Sequence, residues 1–344
     1  MRELVSPPPE LVTEGRFNHG SFTGPIPTLN ARDAAVYPWL PKVFRGFRLK
    51  EWQAVQVGTE RYFAIVALFN AKTLAVAQVK VFDKVEGTKV VYEKKLSPFA
   101  FRVPSTLMDS TLAYEGRGAK ICFENRLKDQ QVRVQFDFRG KGTSKGLSAD
   151  FVIDTSPPTH QVVCQPLGKG RAMYSHKGQF PVTGQLVVGG DEVELEPKSA
   201  YAFLDDHKGF YPYVMEWDWV TGGGFLPDGR RVGFNFTRNQ ALEPERYNEN
   251  ALWLGDELHV LGPVTFERLG AGAGEHWIIR DQEGHVDLRF DVTLDARVNV
   301  NLLVIRSRYR GPFGRFSGSI LGPRGESISC DGLFGMGERF YLRT

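Results

Sequence analysis

The sequence predicts an all-β protein made of two antiparallel barrels or sandwiches packed side by side, with few or no helices. Short runs rich in Val, Phe and Ala recur every eight to twelve residues or so, and turn-forming residues separate them. No helical pattern lies between the runs, which argues against a parallel α/β sheet. The chain has 344 residues, which is too long for one ordinary core and fits two domains. Its 25 Phe favour strands, and its 37 Gly and 20 Pro favour turns.

The first half begins with an arm. Residues 1–45 contain many Pro and Gly and little periodicity, so we expect an ordered segment that wraps around the body, with Trp39 and Phe44 as anchors. Strands follow, and in the last of them apolar and polar residues alternate with the period of two of a half-buried strand. The predicted strands of this half are Trp52–Val57, Tyr62–Phe69, Thr73–Asp83, Lys89–Lys94, Ser110–Tyr114, Lys120–Glu124 and Val132–Phe138.

The strongest candidate for a domain boundary is the segment 154–159. It contains two prolines, which cannot donate hydrogen bonds to a sheet. We therefore expect a first barrel at 46–156 and a second barrel at 157–344. Strands and hairpin signals continue in the second half. The predicted strands are Val182–Val188, Glu192–Leu195, Arg231–Phe236, Leu252–Leu254, Leu258–Val260, Trp277–Arg280, Val286–Leu294 and Val300–Tyr309.

The charge of the chain does not indicate binding to nucleic acid. The net charge is +3, and basic residues are interspersed with acidic ones instead of concentrating on one face. Arg306, Arg308 and Arg310 share one face of a predicted strand because of their i, i+2 spacing. We interpret them as a solvated strand face, with an anion site as the alternative.

Neither a metal nor a cofactor is expected. Cys122, Cys164 and Cys330 lack the spacing of a zinc site and are odd in number, so we expect reduced, mostly buried thiols. The motifs of phosphate loops, zinc proteases and serine hydrolases are absent. We find no signal peptide at the start and no apolar run of about 18 residues that could span a membrane. A cytoplasmic enzyme or carrier is the expectation that remains.

Residues 201–219 concentrate side chains suited to proton transfer. Asp205 and Asp206 precede His207, and an acid beside a histidine can orient the imidazole and raise its pKa. These three are the predicted catalytic residues. A structural alternative stays open, because a histidine beside an aspartate at the end of a strand often has no role in chemistry.

The predicted ligand-binding residues follow this segment. Trp217 and Trp219 share one strand face, where two indoles could wall an apolar cavity and stabilise developing positive charge. Tyr211 and Tyr213 precede them. Asn235 faces away from the two phenylalanines that flank it, and it would contact a ligand if its strand pairs with the tryptophan strand. Packing of the tryptophans in a core is the alternative.

Two further polar residues, Glu249 and Asn250, enter a predicted strand directly after Asn248. Such groups can cap a turn through side-chain hydrogen bonds, or they can point into the mouth of a cavity. We include Glu249 and Asn250 among the predicted ligand-binding residues.

Taken in order, several pieces of the chain resemble the bacterial family called domain of unknown function 2804. They are the stretches 20–25, 49–53, 205–213, 217–219, 248–251 and 335–340. That family is similar to tandem lipocalin-like proteins, which include carotenoid 1,2-hydratases and fungal cyclising enzymes of the Diels–Alder type. The resemblance implies two calycin-like β-barrels. It matches Asp206 and His207 to the Asp and His of the hydratase motif, whereas Gly209 stands where that motif has tryptophan.

These observations predict a protein that binds an apolar small molecule, such as a polyene, a terpenoid, a polyketide or a lipid-like compound. If it is an enzyme, we expect a cofactor-independent hydratase or other lyase, or an isomerase or cyclase, that uses acid–base chemistry. The first alternative is a lipocalin-like carrier or sensor without catalysis. The second is an interaction protein without a cavity. The sequence does not indicate whether the chain forms homo-oligomers.

Overall fold

A computed structural model describes residues 2–138, 146–271, 274–301 and 306–343. In these ranges the strands form two large antiparallel sheets and a two-stranded ribbon, which confirms the predicted all-β class. The α-helix content of the same ranges is a single turn, Lys42–Arg45. No helix in the described ranges is long and apolar enough to cross a membrane.

The ribbon and the first sheet come from the first 210 residues. Over the described ranges this sheet has 13 strands, and its main path runs from β7 through β6, β5, β4, β15, β13, β11, β10 and β9 to β8. The strands are β1 (Val12–Thr13) and β2 (Arg16–Phe17) in the ribbon, then β3 (Gly20–Phe22), β4 (Leu49–Gly58), β5 (Tyr62–Asn70), β6 (Ala75–Asp83), β7 (Thr88–Leu96), β8 (Ser110–Gly116), β9 (Ala119–Arg126), β10 (Gln131–Phe138), β11 (Leu147–Asp154), β12 (Gln161–Gly168), β13 (Arg171–Val188), β14 (Asp191–Leu195) and β15 (Tyr201–Phe210).

The second sheet has 12 strands over the described ranges, and its main path runs from β19 through β18, β17, β16, β27, β25, β22 and β21 to β20. The strands are β16 (Val214–Phe225), β17 (Arg231–Arg238), β18 (Ala251–Leu254), β19 (Glu257–Val260), β20 (Val264–Leu269), β21 (His276–Asp281), β22 (Val286–Leu294), β23 (Arg297–Asn301), β24 (Arg306–Arg310), β25 (Phe313–Leu321), β26 (Ser327–Ser329) and β27 (Phe334–Arg343). The single strand predicted at 300–309 is instead parts of two antiparallel strands, β23 and β24, and residues 302–305 of the prediction lie outside the described residues.

The first sheet curls until its edge strands β7 and β8 meet through side chains. Lys94 Nζ of β7 lies 5.8 Å from the ring centroid of Tyr114 of β8. The Tyr92 ring packs on Phe138, with 3.9 Å between the centroids. Even-numbered residues of β10 face the enclosed core and most odd-numbered ones face outward, as the alternation predicts. The sheet therefore wraps around one apolar core.

The N-terminal arm is held by residues other than those predicted. Trp39 and Phe44 are 76% and 51% exposed, so their prediction as anchors is wrong. Leu11, Ile26 and Leu29 are buried in the core of the first barrel instead. The reason is backbone pairing: β3 adds to β12, and the side chains near this ladder are held against the core.

The strands change sheets after residue 210. β12 to β15 hydrogen-bond to the first sheet, and β16 begins the second at Val214. The segment 154–159 thus connects two strands of one sheet, β11 and β12. The division into barrels at 156/157 stays a prediction, and the strand pairing favours a division between Phe210 and Val214.

The two sheets pack on each other through large aromatic side chains. Phe82 stacks on Phe334 with 4.9 Å between ring centroids. Tyr201 Oη donates a hydrogen bond of 2.7 Å to the carbonyl of Gly223. A Cβ at Gly223 would come within 2.9 Å of the Tyr201 ring, so glycine permits this close approach. Side chains that project from β13 and β15 toward β16 and β27 are consequently buried between the barrels.

Candidate functional site

Polar side chains gather at one place in this otherwise apolar interface. The register of β13 and β15 places Lys177 opposite Asp205 and Ser175 opposite His207. Residues at i and i+2 of a strand project to the same side, so all four face the second barrel. The second barrel contributes Glu249, from the segment before β18. We call these five residues the inter-barrel cluster.

The charged members of the inter-barrel cluster are in contact. Lys177 Nζ lies 2.8 Å from Asp205 Oδ2 and 3.7 Å from Glu249 Oε2. Ser175 Oγ donates a 3.1 Å hydrogen bond to the same Glu249 oxygen. Lys177 is only 6% exposed, and both carboxylates are equally buried. Water screens these charges poorly, so their interaction is much stronger than that of a surface ion pair.

The cluster holds fewer positive than negative groups, and this shifts its pKa values. Burial alone lowers the pKa of Lys177, but the facing carboxylates of Asp205 and Glu249 outweigh burial and raise it. Burial raises the pKa of Glu249, and the Lys177 ammonium only partly opposes this effect. Burial therefore favours the protonated form of Glu249.

His207 has a tyrosine partner instead of the predicted aspartate. Its imidazole stacks on Trp52 with 3.7 Å between centroids and 3° between planes. The hydrogen bond at Nε2 is with Tyr211 Oη, at 2.8 Å. A Cβ at Gly209 would come within 2.9 Å of Nε2, so glycine leaves room for this pair. Burial and the positive charge of Lys177 lower the pKa of His207 well below its ordinary value.

The expectation that an acid would raise the pKa of His207 is therefore wrong. Asp205 points to the same side as His207, and its Oδ1 accepts a 3.4 Å hydrogen bond from Trp52 Nε1. Asp206 points to the opposite side, into the first barrel, because neighbours on a strand alternate. Among the described residues neither Asp206 oxygen has a hydrogen-bond partner. The structure does not bring Asp206 together with His207.

The position of Asp206 predicts a specific pH dependence of stability. Burial raises its pKa from 3.8 to about 6, with nearby carboxylates adding to the shift and Lys208 opposing it. The folded state thus holds this proton more tightly than the unfolded state does, and stability falls as pH rises from about 4 to 6. We expect Asp206→Asn to raise the free energy of unfolding by up to about 3 kcal/mol above pH 6.

Urea unfolding of wild type and Asp206→Asn between pH 4 and 8 measures this difference. The difference in the free energy of unfolding between the two proteins should be small at pH 4 and reach its full size near pH 7. Exposed Asp137→Asn in β10 is the matched control and should show no such trend. A gap for Asp206→Asn that does not depend on pH would contradict the prediction.

Trp219 and Asn235 meet at the inter-barrel cluster because their strands pair, and their role in ligand binding stays a prediction. Trp219 Nε1 donates a 2.6 Å hydrogen bond to Asn235 Oδ1. Asn235 Nδ2 donates a 2.7 Å bond to the backbone carbonyl of Glu249. Lys177 Nζ lies 5.4 Å from the centroid of a Trp219 ring, within the range of a cation–π contact. Asn235 thus holds both the indole and the segment that carries Glu249.

Trp217 borders the cluster through a further carboxylate, Glu338 of β27. Trp217 Nε1 donates a 3.1 Å hydrogen bond to Glu338 Oε2, and Tyr309 Oη donates a 2.8 Å hydrogen bond to Glu338 Oε1. Burial raises the pKa of Glu338, although these two donors lower it. The Trp217 ring packs on Phe340 with 4.1 Å between centroids. Glu338 is thus a further carboxyl group with a raised pKa at the edge of the cluster.

Two predicted ligand-binding residues lie elsewhere. Asn250 is fully buried, but its Oδ1 accepts the backbone N–H of Thr237 at 2.7 Å and its Nδ2 donates to the carbonyl of Gly262 at 2.7 Å. These bonds link strands and leave the side chain little capacity for a ligand. Tyr213 is 59% exposed in the connection before β16.

Sequence reasoning missed Ser175, Lys177, Trp52 and Glu338. Ser175 and Lys177 stand at i and i+2 in β13, where all residues from Ala172 to Phe180 are buried. A lysine in a strand is ordinarily interpreted as facing solvent. The burial of Lys177 becomes visible only in the tertiary structure, where β13 pairs with β15 and the second barrel covers this face of β13. The two-residue spacing of polar groups was the one available signal.

One group of potential metal ligands occurs among the described residues, and it lies apart from the cluster. Asp281, Glu283 and His285 bring their ligand atoms within 4.8 Å of one another at the turn between β21 and β22. Glu283 is exposed, and His285 Nδ1 is already paired with its carboxylate at 3.2 Å. Such exposed acidic turns are common without metal, and this one adds nothing to the inter-barrel chemistry.

Solved structures with a similar fold were found for nearly the whole chain. Kievitone hydratase from Nectria haematococca is 13% identical over 85% of this chain and 88% of that chain, with a TM-score of 0.51. CghA is 12% identical over 97% of this chain and 96% of that chain, with a TM-score of 0.55. CghA with Sch210972 covers 86% and 88% at 12% identity, with a TM-score of 0.54.

These similarities show the fold, which is a tandem lipocalin-like arrangement as the sequence predicts. No curated protein matches the chain. A family model described as Domain of unknown function (DUF2804) matches residues 1–343, and the chain therefore belongs to this family.

Proposed function

We propose that the protein binds an apolar small molecule between its two barrels and transforms it by acid–base chemistry without a cofactor. The substrate would be a polyene, a terpenoid, a polyketide or a similar compound, and the reaction a hydration, dehydration, isomerisation or cyclisation. One observation carries the proposal. The buried ammonium of Lys177 faces the buried carboxyls of Asp205 and Glu249. Three tryptophans lie beside them: Trp52, Trp217 and Trp219.

Glu249 is the proposed proton donor. Burial raises the pKa of the Glu249 carboxyl and so favours its protonated form, which can transfer its proton to a carbon–carbon double bond. Lys177 and Asp205 lie beside it as an ion pair. The hydrogen bonds from Ser175 to the Glu249 side chain and from Asn235 to its backbone carbonyl fix its position. The low dielectric that raises the pKa of Glu249 also strengthens every charge interaction with a reacting group.

For a hydration, the steps balance within this set of residues. The Glu249 proton bonds to one alkene carbon, and positive charge develops on the other carbon, where the faces of Trp217 or Trp219 can stabilise it. The oxygen of a water molecule then bonds to that carbon, and the water proton passes to the Glu249 carboxylate. Dehydration is the reverse. In isomerisation or cyclisation the cation instead loses another proton or is attacked by a second double bond.

His207 keeps a proposed catalytic role, but as a neutral group. Its lowered pKa makes imidazolium a minor form, and burial raises the pKa of Tyr211 well above its ordinary value. The His207–Tyr211 pair would therefore orient a polar end of the substrate by hydrogen bonding, stacked on Trp52.

Fold similarity supports the proposal. Kievitone hydratase, which shares the fold, is a hydratase by name, and this favours hydration among the four reactions.

A carrier without chemistry is the second candidate. The observation in its favour is that Lys177, Ser175 and Asn235 already have partners within the protein, as in a purely structural network. These partners are Asp205 for Lys177 and Glu249 for Ser175 and Asn235. Such a network could shape a pocket for an unchanged ligand.

Labelling in heavy water tests the proposal. Purified wild type, Glu249→Gln and His207→Ala would be incubated in it with an apolar extract of the host cell, and mass spectrometry would detect compounds that gain deuterium or the mass of water. Label with wild type that disappears with Glu249→Gln supports acid–base catalysis. An unlabelled compound retained by all three proteins indicates a carrier, and label that persists in Glu249→Gln overturns the assignment of the proton donor.

A further inference from the structure

The second barrel has an open cavity of about 780 Å³ whose lining is rich in arginine. Six arginines line it, together with the acids Glu216 and Asp218. The arginines are Arg238, Arg268, Arg297, Arg308, Arg310 and Arg339. Arg308 and Arg310, interpreted from the sequence as a solvated strand face, thus line a concavity of the size that holds small molecules.

Strand register explains why these side chains converge. On the neighbouring strands β24, β27, β16 and β17, the residues Arg310, Arg339, Asp218 and Arg238 stand opposite one another in a row. Cross-strand neighbours of this kind lie about 5 Å apart, and like charges directly opposite each other destabilise a sheet. Arg310 and Arg339 are such a like-charged pair.

Carboxylates within the barrel compensate only part of this charge. Asp218 pairs with Arg238 at 2.8 Å and also with Arg268. Arg310 donates to Glu275 at 2.7 Å and to Asp295 at 2.9 Å.

Arg297 pairs with Asp295 at 2.6 Å. The remaining two arginines lack such compensation. Over the described ranges, neither Arg308 nor Arg339 has a carboxylate within ion-pair distance. The cavity consequently carries an excess of positive charge at these two positions.

Three of the guanidinium groups are held in place by aromatic rings. Trp277 is fully buried below them, and the guanidinium carbons of Arg268 and Arg310 lie 4.5 and 5.9 Å from the centroid of its ring system. Cation–π contacts and ion pairs therefore fix these two side chains before any ligand arrives. Arg308 adds a similar contact, 5.9 Å from the Tyr341 ring centroid.

We propose that this cavity is a second binding site, which takes a small organic anion bearing a phosphate or several carboxylates. The planar guanidinium fork matches the oxygens of both groups, and several arginines on one wall can share one multiply charged anion. Tyr341 and Phe340 in the lining provide apolar surface for the body of the ligand. The site is formed by the second barrel alone and does not depend on the chemistry of the inter-barrel cluster.

Calorimetric titration of the full chain with pyrophosphate, and separately with citrate, at constant ionic strength tests the proposal. We expect saturable binding of at least one anion. Arg308→Gln and Arg339→Gln should each weaken it by about 10- to 100-fold, the effect of one charge-assisted contact. A preference for pyrophosphate indicates a phosphorylated ligand, and a preference for citrate a polycarboxylate.

Arg289→Gln is the matched control, because this exposed arginine of β22 lies in the same sheet, is paired with Asp291 and does not line the cavity. It should bind the anions as wild type does. Thermal unfolding without anion should show that the cavity variants fold, since their substitutions remove repulsion. Undetectable binding to wild type, equal binding to the cavity variants, or tighter binding of a single-stranded RNA oligonucleotide would overturn the proposal.

Discussion

Replacing Glu249 with glutamine should lower turnover by about 100- to 10,000-fold, the contribution expected of a general acid. Glutamine keeps the size of the side chain and can still accept the hydrogen bond from Ser175, but it has no proton to give to an alkene carbon. Turnover of the compound identified by labelling, measured under saturating conditions, checks this expectation. The binding of that compound should change much less than its turnover.

The pH profile provides a second readout for Glu249. The acid form is the active one, so wild-type turnover should fall as pH rises through the raised pKa of this group. The residual turnover of Glu249→Gln should lack this decline. Glu51→Gln is the matched control, because Glu51 is equally buried but faces Lys72 and Lys208 in the first barrel. Wild-type turnover in Glu249→Gln would exclude Glu249 as the donor.

Replacing Lys177 with methionine should destabilise the protein by about 3–5 kcal/mol at neutral pH, as the loss of one partner of a buried ion pair does. Methionine fills much of the space, so the cost arises from the stranded charge of Asp205 and not from a cavity. Urea unfolding measures it.

Two further variants separate charge from packing at this position. Lys50 is also buried, but its Nζ donates to the carbonyl of Ala71, and burial with neighbouring positive charges lowers its pKa to about 8. Lys50→Met should therefore cost much less than Lys177→Met. The double variant Lys177→Met with Asp205→Asn should recover part of the lost stability. If both Lys→Met variants were equally stable, the buried charges of the cluster could not be the cause.

The two proposed sites depend on different parts of the fold. The inter-barrel cluster needs both sheets, because Lys177 comes from β13 and the Glu249 segment belongs to the second barrel. The arginine-lined cavity needs only the second sheet, through the register of β24, β27, β16 and β17. Arg308→Gln or Arg339→Gln in the cavity should accordingly leave ligand binding at the inter-barrel cluster intact.

The sequence by itself determined the fold class and much of the strand pattern. Alternation in β10 and the turn residues between runs are local properties, set by side-chain burial on alternate faces and by backbone preferences. The same local signals placed His207, Trp219, Asn235 and Glu249 among the candidates, and these four do lie at the inter-barrel cluster. The ordered resemblance to the family also extends over nearly the entire chain.

Tertiary structure decided which of these residues can act together. Asp205, Asp206 and His207 look like a corner after a strand, but β15 is paired on both sides from Tyr201 to Gly209. Alternation then sends Asp206 into the first barrel, away from His207. Aspartate, histidine and lysine have low strand preferences, so only the pairing with β4 and β13 extends the strand through them. Lys177 is buried for the same reason: long-range packing of two sheets, which no local pattern encodes, covers its face of β13.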